Sequence, residues 1–356
     1  MLRRWVVQMA KEKKEPKSGK KKWWLVLAIL LMVLALIISS GYIVVDHYLD
    51  MIHKVDPDDE SMIPPEEETF ETDATAATSS TAPGATTGTT ASTTRVTIKK
   101  PTVTFDDSAL LNIMLVGQDN YEGGSRQRSD SMILVSINTK TKKVSVISFL
   151  RDLYVSIPGG YSNNRLNTPY RFGGFKLLNQ TMNVNFGVTI DGNIAVNFDS
   201  FKEVIDKVGG VDIHLTAAEA TYMGYNGGKA GMAHLDGGGA LIYARIRHLD
   251  SDFVRTQRQR NVLMAVLSKI RQLSVGELMD LMNAILPSLT TNMSNSQILS
   301  LMTQLAPMVS TMEVNTYRVP ANDAYRYASI RGMSVLVPNL DRIRTDLKEE
   351  YLPFER

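Results

Sequence analysis

The sequence contains no cysteine among its 356 residues. Disulfide-stapled folds, thiol nucleophiles and cysteine-ligated zinc or iron–sulfur sites are therefore excluded. It also lacks a Walker-type phosphate loop, a Gly-x-Ser-x-Gly elbow and a His-Glu-x-x-His motif, and its five histidines are scattered. The glycines at 237–239 follow Asp236 without a lysine, so they predict a flexible turn rather than a phosphate loop.

The chain also lacks a large net charge, because 39 Lys and Arg against 37 Asp and Glu give +2. This balance argues against a protein that coats nucleic acid. The charge is nevertheless uneven along the chain. Residues 1–22 carry nine basic and two acidic side chains, whereas residues 46–107 carry four basic and thirteen acidic ones. The sequence therefore predicts segments that occupy different environments.

Residues 23–45 contain no charged side chain and would form a helix about 34 Å long. We therefore predict a transmembrane helix. A cleaved signal peptide is the alternative, but its apolar region is usually about 7 to 15 residues long. The basic tail at 1–22 places the N-terminus in the cytoplasm by the positive-inside rule, and everything from about Asp46 outside the cell. We expect a single-pass protein of the cell membrane.

Residues 46–107 are predicted to form an extracellular linker. Their first part is acidic, and the stretch from Thr72 to Thr94 is almost wholly Thr, Ala, Ser and Gly. Such a composition cannot bury enough apolar surface to offset the entropy lost on ordering. We therefore expect an extended stalk before the folded domain.

The remaining residues, 108–356, alternate short apolar runs with segments of helical periodicity. The predicted strands are 111–116, 131–137, 144–150, 211–215, 241–247, 315–319 and 334–337. The predicted helices are 175–185, 198–208, 252–273, 275–286, 296–312 and 340–351. This alternation predicts a layered α/β domain with a mixed sheet.

Charged residues border the ends of the first three predicted strands. Asp119 follows the first, Arg128 and Asp130 border the second, and Arg151 and Asp152 end the third. Taken singly, each Asp is also compatible with an ordinary turn. Carboxylates and guanidinium groups at adjacent strand ends together favour a functional site.

The segment 241–247 reads as a strand that places Arg245 and Arg247 on one face, about 7 Å apart. Two like charges at this distance repel each other unless an anion lies between them. A solvated face of an edge strand is the alternative. The pattern therefore indicates an anion-binding face without excluding the simpler explanation.

A helical wheel of 252–273 places Arg255 and Gln259 on the same stripe as Leu263 and Val266. Arg258 lies just off this stripe, and Arg260 borders its other side. A buried guanidinium needs an internal carboxylate or an anionic ligand. The candidate arginines outnumber the nearby acids, which favours a ligand, and the planar fork of Arg matches phosphate.

Two Asp side chains near several Arg side chains suit a hard divalent cation bound together with phosphate oxygens. The chemistry indicated is phosphoryl transfer outside the cell, where nucleotides are scarce. The donor would then be an exported molecule such as a lipid-linked glycan.

The chain resembles the LytR-CpsA-Psr family of cell-wall ligases, with the resemblance covering about residues 108–273. The segments that carry it are 112–119 (NIMLVGQD), 128–138 (RSDSMILVSIN), 144–159, 165–174 (RLNTPYRFGG), 196–213, 243–248 (YARIRH) and 252–259 (DFVRTQRQ). The chain departs from the family pattern at 237–239, where the family usually shows Gly-Glu/Gln-Gln or Gly-Glu-Glu. It departs again at Arg165, where Lys is common.

The resemblance implies an α/β/α layered domain with a mixed central sheet. It also implies a phosphotransferase that moves a glycan polymer from a polyprenyl diphosphate carrier to peptidoglycan in a Gram-positive bacterium, with Mg²⁺, or alternatively Mn²⁺, at the diphosphate. The implied catalytic residues are Asp119, Asp130, Arg128, Arg151 and Asp152, of which Asp119 and Asp130 bind the metal. The implied diphosphate contacts are Arg128, Arg151, Arg165, Arg245, Arg247, Arg255, Arg258 and Gln259.

Two other functions remain open from the residues alone. A membrane-tethered sensor or transcriptional attenuator that binds polyprenyl phosphate without turnover would have the same diphosphate site. A structural adhesin would explain the Thr-rich stalk but not the arginines. The partners expected for a ligase are the lipid-linked glycan, the peptidoglycan acceptor and the membrane through residues 23–45, with no nucleic acid.

Overall fold

The computed structural model describes residues 46–55, 109–118, 128–305, 307–308 and 311–354. The predicted membrane span at 23–45 and most of the predicted linker lie outside these ranges. Among the described residues, no helix is both long and apolar enough to cross a membrane.

The strands and helices alternate through most of the described chain. The strands are β1 (His53–Lys54), β2 (Leu110–Gln118), β3 (Ser129–Asn138), β4 (Lys143–Phe149), β5 (Tyr154–Val155), β6 (Asn164–Arg165), β7 (Gly192–Val196), β8 (Val211–Leu215), β9 (Gly231–Leu235), β10 (Thr290–Thr291), β11 (Glu313–Val319), β12 (Tyr325–Ile330) and β13 (Met333–Pro338). The helices are α1 (Thr168–Phe186), α2 (Phe198–Lys207), α3 (Ala217–Met223), α4 (Gly237–Arg245), α5 (Asp252–Ile270), α6 (Val275–Ile285), α7 (Asn295–Leu305) and α8 (Leu340–Asp346).

Seven described strands form a mixed central sheet in the order β1, β10, β7, β2, β3, β4, β11. The centre is antiparallel, with β3 between β2 and β4, whereas β7 and β11 join it in parallel. Strand β1 pairs with β10, so residues 53–54 of the predicted linker belong to this sheet. The register between Gln118 and Ser129 brings the ends of β2 and β3 together.

Both faces of the sheet are covered, because successive side chains of β3 point to opposite faces and pack into different clusters. Met132 and Leu134 belong to the buried cluster that includes Phe175 of α1. Ile133 belongs instead to a cluster into which Leu263 of α5 packs. The predicted α/β/α layering is confirmed.

A smaller core lies beside the sheet, among α2, α4, α5 and the antiparallel β8–β9 hairpin. It contains Ile205, Val211, Leu235, Tyr243 and Val262, all buried. This core holds α2, α4 and α5 together next to the ends of β2 and β7. The gap between these helices and the sheet becomes the candidate site.

The predicted strand at 241–247 is wrong, because these residues lie mostly in α4 (Gly237–Arg245). The side chain of Asp236 caps the helix by accepting a hydrogen bond from the Gly239 amide at 2.7 Å. A Cβ at Gly237 would lie 2.3 Å from the Lys202 carbonyl oxygen, so α4 can approach α2 this closely only with glycine there. The glycines at 237–239 therefore form the first helical turn, and their poor helix propensity hid the helix from the pattern.

Candidate functional site

A cavity of about 240 Å³ opens where β2, β3 and β7 end against α2, α4 and α5. Along α5, Arg255 and Gln259 line one end of it, and Val262 and Val266 line the other. The apolar wall consists of Leu115, Val116, Ile133, Val196, Phe198, Phe201, Val204, Ile205, Leu241, Ala244, Val262, Leu263 and Val266. The cavity therefore joins a charged end to an apolar end.

Arg151 lies at the centre of the ion pairs beside the charged end. Its Nη1 donates to Oδ1 of Asp130 at 2.9 Å, and its Nε donates to Oδ2 of Asp252 at 3.3 Å. Arg247 Nη2 lies 3.6 Å from Oδ2 of Asp130, and Arg255 Nη2 donates to Oδ2 of Asp252 at 3.0 Å. Arg151 Nε also lies 3.6 Å from Oδ2 of Asp152, so the structure brings together five of the predicted residues: Asp130, Arg151, Asp152, Arg247 and Arg255.

Arg255 is buried, as the helical wheel predicts, with 2% of its surface exposed. Its Nη2 contacts Asp252, but Nε and Nη1 have no hydrogen-bond partner among the described residues. Oε1 of Gln259, one helical turn later, also has none. Burial lowers the pKa of Arg255, and the charges of Arg151 and Arg247 lower it further against the opposing effect of Asp252. This end of the cavity can therefore accept an anion that supplies the missing acceptors.

Arg245, the last residue of α4, and Arg247, two residues later, line the same cavity. The Arg245 guanidinium lies 4.3 Å from the centre of the Phe198 ring, in cation–π geometry. Both arginines are exposed. Both arginines therefore line the cavity from the end of a helix rather than from a strand face.

Arg258, a predicted diphosphate contact, is not among the residues that line this cavity. Its Nε donates to Oε1 of Glu219 at 2.6 Å, and its Nη1 donates to the Ile246 carbonyl at 3.2 Å. Both Nη atoms also donate to Asp250, Nη1 at 3.1 Å. The small core therefore satisfies this guanidinium internally.

Arg128 stands in a cluster of positive charge beside β3. Burial lowers the pKa of Arg128 to about 10, with smaller effects from the charges of Arg171, Arg165 and Arg151. A guanidinium so affected is stabilised by an added negative charge. This environment is consistent with its predicted contact to a phosphate group.

Asp152 and Asp252 form a carboxylate pair next to Arg151. Burial raises the pKa of Asp152 to about 6, and the charge of Asp252 adds to this effect against Arg151 and Arg165. Although burial alone would raise the pKa of Asp252, Arg255 and Arg151 hold it below its usual value. The two acids are thus poised differently, with Asp152 the more basic of the two.

Arg165 does not line the first cavity. Its Nε and Nη2 donate to the Ser334 carbonyl at 3.2 and 2.8 Å, and its Nε lies 3.6 Å from Oδ1 of Asp152. It lines a second cavity, of about 320 Å³, together with Asp152, Asp252 and residues of the β12–β13 hairpin. Arg165 and Arg151 therefore line the second cavity, whereas Arg245, Arg247, Arg255 and Gln259 line the first.

The predicted metal ligands are only partly described. Asp130 lines the charged end of the first cavity, whereas Asp119 lies outside the described residues. Asp119 directly follows Gln118, which pairs with Ser129 and lines the same cavity. Within the described ranges, no group of three or more His, Cys, Asp or Glu side chains could hold a metal ion.

Three acids that hold the arginines escaped the sequence analysis: Asp252, Glu219 and Asp250, the last of which binds Arg258. Asp252 contacts Arg151 and Arg255, but an acid in the first turn of a helix reads as a favourable dipole interaction. Glu219 holds Arg258, but it also completes a capping box with Thr216, which is sufficient to explain it. The excess of buried arginines on one helix was the available signal for such acids.

The chain is similar in sequence to a known protein family and to named transferases. A family model described as the LytR_cpsA_psr family matches residues 73–349. The polyisoprenyl-teichoic acid–peptidoglycan teichoic acid transferase TagU of Bacillus mycoides (strain KBAB4) is 34% identical over 200 residues, 55% of this chain and 65% of the relative. TagU of Oceanobacillus iheyensis is 34% identical over 238 residues, 63% of this chain and 72% of the relative. The match to the Bacillus mycoides protein thus spans just under two thirds of its length.

Solved structures share the fold. The crystal structure of B. subtilis TagT is 25% identical with a TM-score of 0.55, over 68% of this chain and 89% of that one. TagT bound to LI-WTA is 24% identical with a TM-score of 0.54, over 68% of this chain and 91% of that one. Because the family model covers most of the folded chain and the fold agrees, the protein belongs to the LytR_cpsA_psr family.

Proposed function

We propose that this protein is a phosphotransferase that moves an anionic glycan polymer of the teichoic acid class from a polyprenyl diphosphate carrier to peptidoglycan. The first cavity supports this function most strongly, because it joins a charged end to an apolar end. A polyprenyl diphosphate has the same two parts, a charged diphosphate and an apolar chain. The TagU relatives are named for transfer between polyisoprenyl-teichoic acid and peptidoglycan.

The charges of the cavity favour the diphosphate. Arg245, Arg247 and Arg255 line it, with Asp130 as the described acidic side chain among the lining residues. The free donors of Arg255 are buried, where a charge-assisted hydrogen bond is stronger than in water. We expect the diphosphate oxygens to receive these hydrogen bonds, with the first isoprene units against Val262, Leu263 and Val266.

The transfer forms one phosphorus–oxygen bond and breaks another. A hydroxyl oxygen of the acceptor attacks the phosphorus linked to the glycan, and the bond from that phosphorus to the bridging oxygen breaks. The polyprenyl monophosphate leaves, and the hydroxyl proton passes to a base. The arginines stabilise the negative charge on the transferred group and on the leaving phosphate, so catalysis depends mainly on positioning and electrostatics.

Asp152 suits the role of the base better than Asp130. Its raised pKa of about 6 lies closer to a neutral operating pH, where a general base works best. Asp130 accepts a hydrogen bond from Arg151 at 2.9 Å, whereas the nearest nitrogens of Arg151 and Arg165 lie 3.6 Å from the Asp152 oxygens. We propose that Asp152 accepts the proton and that Asp130 serves the diphosphate end.

We propose that Asp119 and Asp130 hold Mg²⁺, or alternatively Mn²⁺. Mg²⁺ usually keeps several waters and binds one or two carboxylates together with substrate phosphates, so two Asp side chains suffice. The cation would neutralise charge on the diphosphate. Asp119→Asn and Asp130→Asn should each abolish magnesium-dependent transfer with unchanged thermal unfolding. Wild-type transfer in both variants would contradict the assignment.

We propose that residues 23–45 anchor the protein in the cell membrane, with the N-terminus cytoplasmic and the catalytic domain outside. The uncharged span and the basic tail before it support this topology. A reporter fused after Asp106 should be active only outside the cytoplasm. Cytoplasmic activity of the fusion would overturn the orientation.

Turnover separates this function from the alternative of a sensor that binds polyprenyl phosphate. The purified full-length protein is incubated with a polyprenyl diphosphate-linked glycan and peptidoglycan. Attachment of the glycan to peptidoglycan, with release of polyprenyl monophosphate, is expected for a ligase. Saturable binding of the lipid without any release would instead support the sensor.

A further inference from the structure

The second cavity, of about 320 Å³, is separate from the proposed diphosphate cavity. Its walls come from β6, the start of α5 and the β12–β13 hairpin, and its polar groups include Arg151, Asp152 and Asp252. Arg165 fixes the hairpin to this wall through two hydrogen bonds to the Ser334 carbonyl. The cavity is therefore a built feature of the domain rather than a gap between loose segments.

The two cavities meet at the ion pairs around Arg151. Asp130 and Arg255 line the first cavity, whereas Arg151, Asp152 and Asp252 line the second. The contacts from Arg151 to Asp130, 2.9 Å, and from Arg255 to Asp252, 3.0 Å, cross from one cavity to the other. A phosphorus atom bound at the charged end of the first cavity would therefore lie close to groups that line the second.

The charge of the second cavity disfavours a phosphate there. Asp152 and Asp252 present two carboxyl groups, and its two arginines, Arg151 and Arg165, already contact carboxylate or carbonyl oxygens. A neutral molecule with many hydroxyl groups fits these surroundings better, because hydroxyls can both donate to carboxylates and accept from guanidinium groups.

An aromatic rim points to the same class of ligand. Tyr327 is 66% exposed on β12 and lines the cavity. Its ring centre lies 5.4 Å from that of Tyr325, which lies 5.3 Å from that of Phe253. Exposed aromatic rings beside polar groups favour ligands that have both an apolar face and hydroxyl groups. Sugar rings have both.

We propose that the second cavity binds the acceptor glycan, with a sugar ring against Tyr327 and its reacting hydroxyl toward Asp152. This inference rests on the proposed transferase function and names the site of its second substrate. Donor and acceptor then approach the Arg151 ion pairs from different sides, as transfer between two large molecules requires.

Steady-state kinetics of the full-length protein test whether the second cavity binds the acceptor. Soluble, uncross-linked glycan strands of peptidoglycan serve as the acceptor, and a polyprenyl diphosphate-linked glycan as the donor. Tyr327→Ala should raise the acceptor KM about fivefold to tenfold, as expected for loss of one ring-stacking contact. The donor KM and the thermal unfolding temperature should not change, because the ring is exposed.

Two control variants accompany this measurement. Tyr327→Phe keeps the ring and should retain most of the acceptor affinity. Tyr222→Ala removes another exposed ring, 47% exposed on α3, and should leave both KM values unchanged. An unchanged acceptor KM in Tyr327→Ala would overturn the proposal. If Tyr327→Ala raises the donor KM instead of the acceptor KM, the second cavity binds the donor glycan, and the proposal is also overturned.

Calorimetric titration of the same strands, without donor, distinguishes failure of this proposal from failure of the proposed function. If the strands bind to the wild type and bind more weakly to Tyr327→Ala, the second cavity is the acceptor site even if no transfer occurs. If the wild type transfers the glycan but binds the strands no more tightly than Tyr327→Ala does, the transferase function stands and the second cavity is not the acceptor site.

Discussion

Two buried arginines on α5, one turn apart, lie in different surroundings. Arg255 and Arg258 are each 2% exposed. Glu219, Asp250 and the Ile246 carbonyl accept hydrogen bonds from every nitrogen of the Arg258 guanidinium. Arg255 contacts Asp252, and two of its nitrogens have no partner among the described residues.

Burial alone therefore does not distinguish a structural arginine from one that binds a ligand. The region around Arg258 is complete, so removing that side chain leaves buried acids without a cation. The region around Arg255 is incomplete, so removing that side chain takes away an interaction that forms only with a ligand. Four measurements test this difference.

The largest effect is expected for Arg258→Ala, which leaves Glu219 buried beside a lost cation. Removing one side of a buried ion pair costs about 3–5 kcal/mol of folding free energy. Denaturant unfolding of the purified protein measures this loss. A loss below about 1 kcal/mol would show that the small core does not depend on the ion pair.

Arg255→Ala should lower transfer and not stability. Hydrogen bonds to charged groups contribute about 1.5–3 kcal/mol, so the rate should fall about tenfold to a hundredfold. Without lipid diphosphate the variant should unfold at an equal or higher temperature, because Asp252 keeps its contact to Arg151. Added lipid diphosphate should stabilise it less than it stabilises the wild type.

The opposite result would remove the contrast between the two arginines. If Arg255→Ala destabilises the protein by several kcal/mol without added lipid and binds lipid diphosphate as the wild type does, Arg255 is half of a structural ion pair.

The raised pKa of Asp152, about 6, predicts two opposite pH trends. Transfer should rise with pH, about tenfold per unit below pH 6, because the carboxyl must lose its proton to act as a base. The free energy of unfolding should decrease as the pH rises from about 4 to about 6, because the folded state binds the proton more tightly than the unfolded state. Rate and unfolding profiles from pH 4.5 to 8 measure both.

Asp152→Asn provides the comparison for these profiles. It should lower transfer at neutral pH and remove the part of the stability trend that comes from this carboxyl. A variant with the same rising rate profile as the wild type would exclude Asp152 as the base.

The smallest effect is expected for a third arginine of α5. Arg260 is 4% exposed, its Nη2 donates to Gln257, and its Nε and Nη1 have no partner among the described residues. Burial, with a smaller effect from the charge of Arg318, lowers the pKa of Arg260 to about 10. Because Arg260 lines neither cavity, Arg260→Met should raise the unfolding free energy by about 1 kcal/mol and leave transfer unchanged. A large loss of transfer would place Arg260 in the substrate path.

Local patterns predicted most of the elements and many of the charged positions. Apolar alternation located β2, β3 and β4, and helical periodicity located α2 and α5 to within a few residues at each end. It failed at α4, because three glycines at its start weaken the helical signal and a run of alternating residues imitates a strand. It also missed β7, β9 and β12, whose short runs have little pattern of their own.

The amino-acid order alone therefore identified the layered α/β domain, the family and the arginine-rich chemistry, because periodicity and residue type are local properties. The division of the arginines between the two regions came from packing. Glu219 lies 39 residues from Arg258 in the chain, and Asp252 lies 101 residues from Arg151. No local pattern reports such contacts, because a charge is satisfied by whichever group the folded chain brings within hydrogen-bond distance.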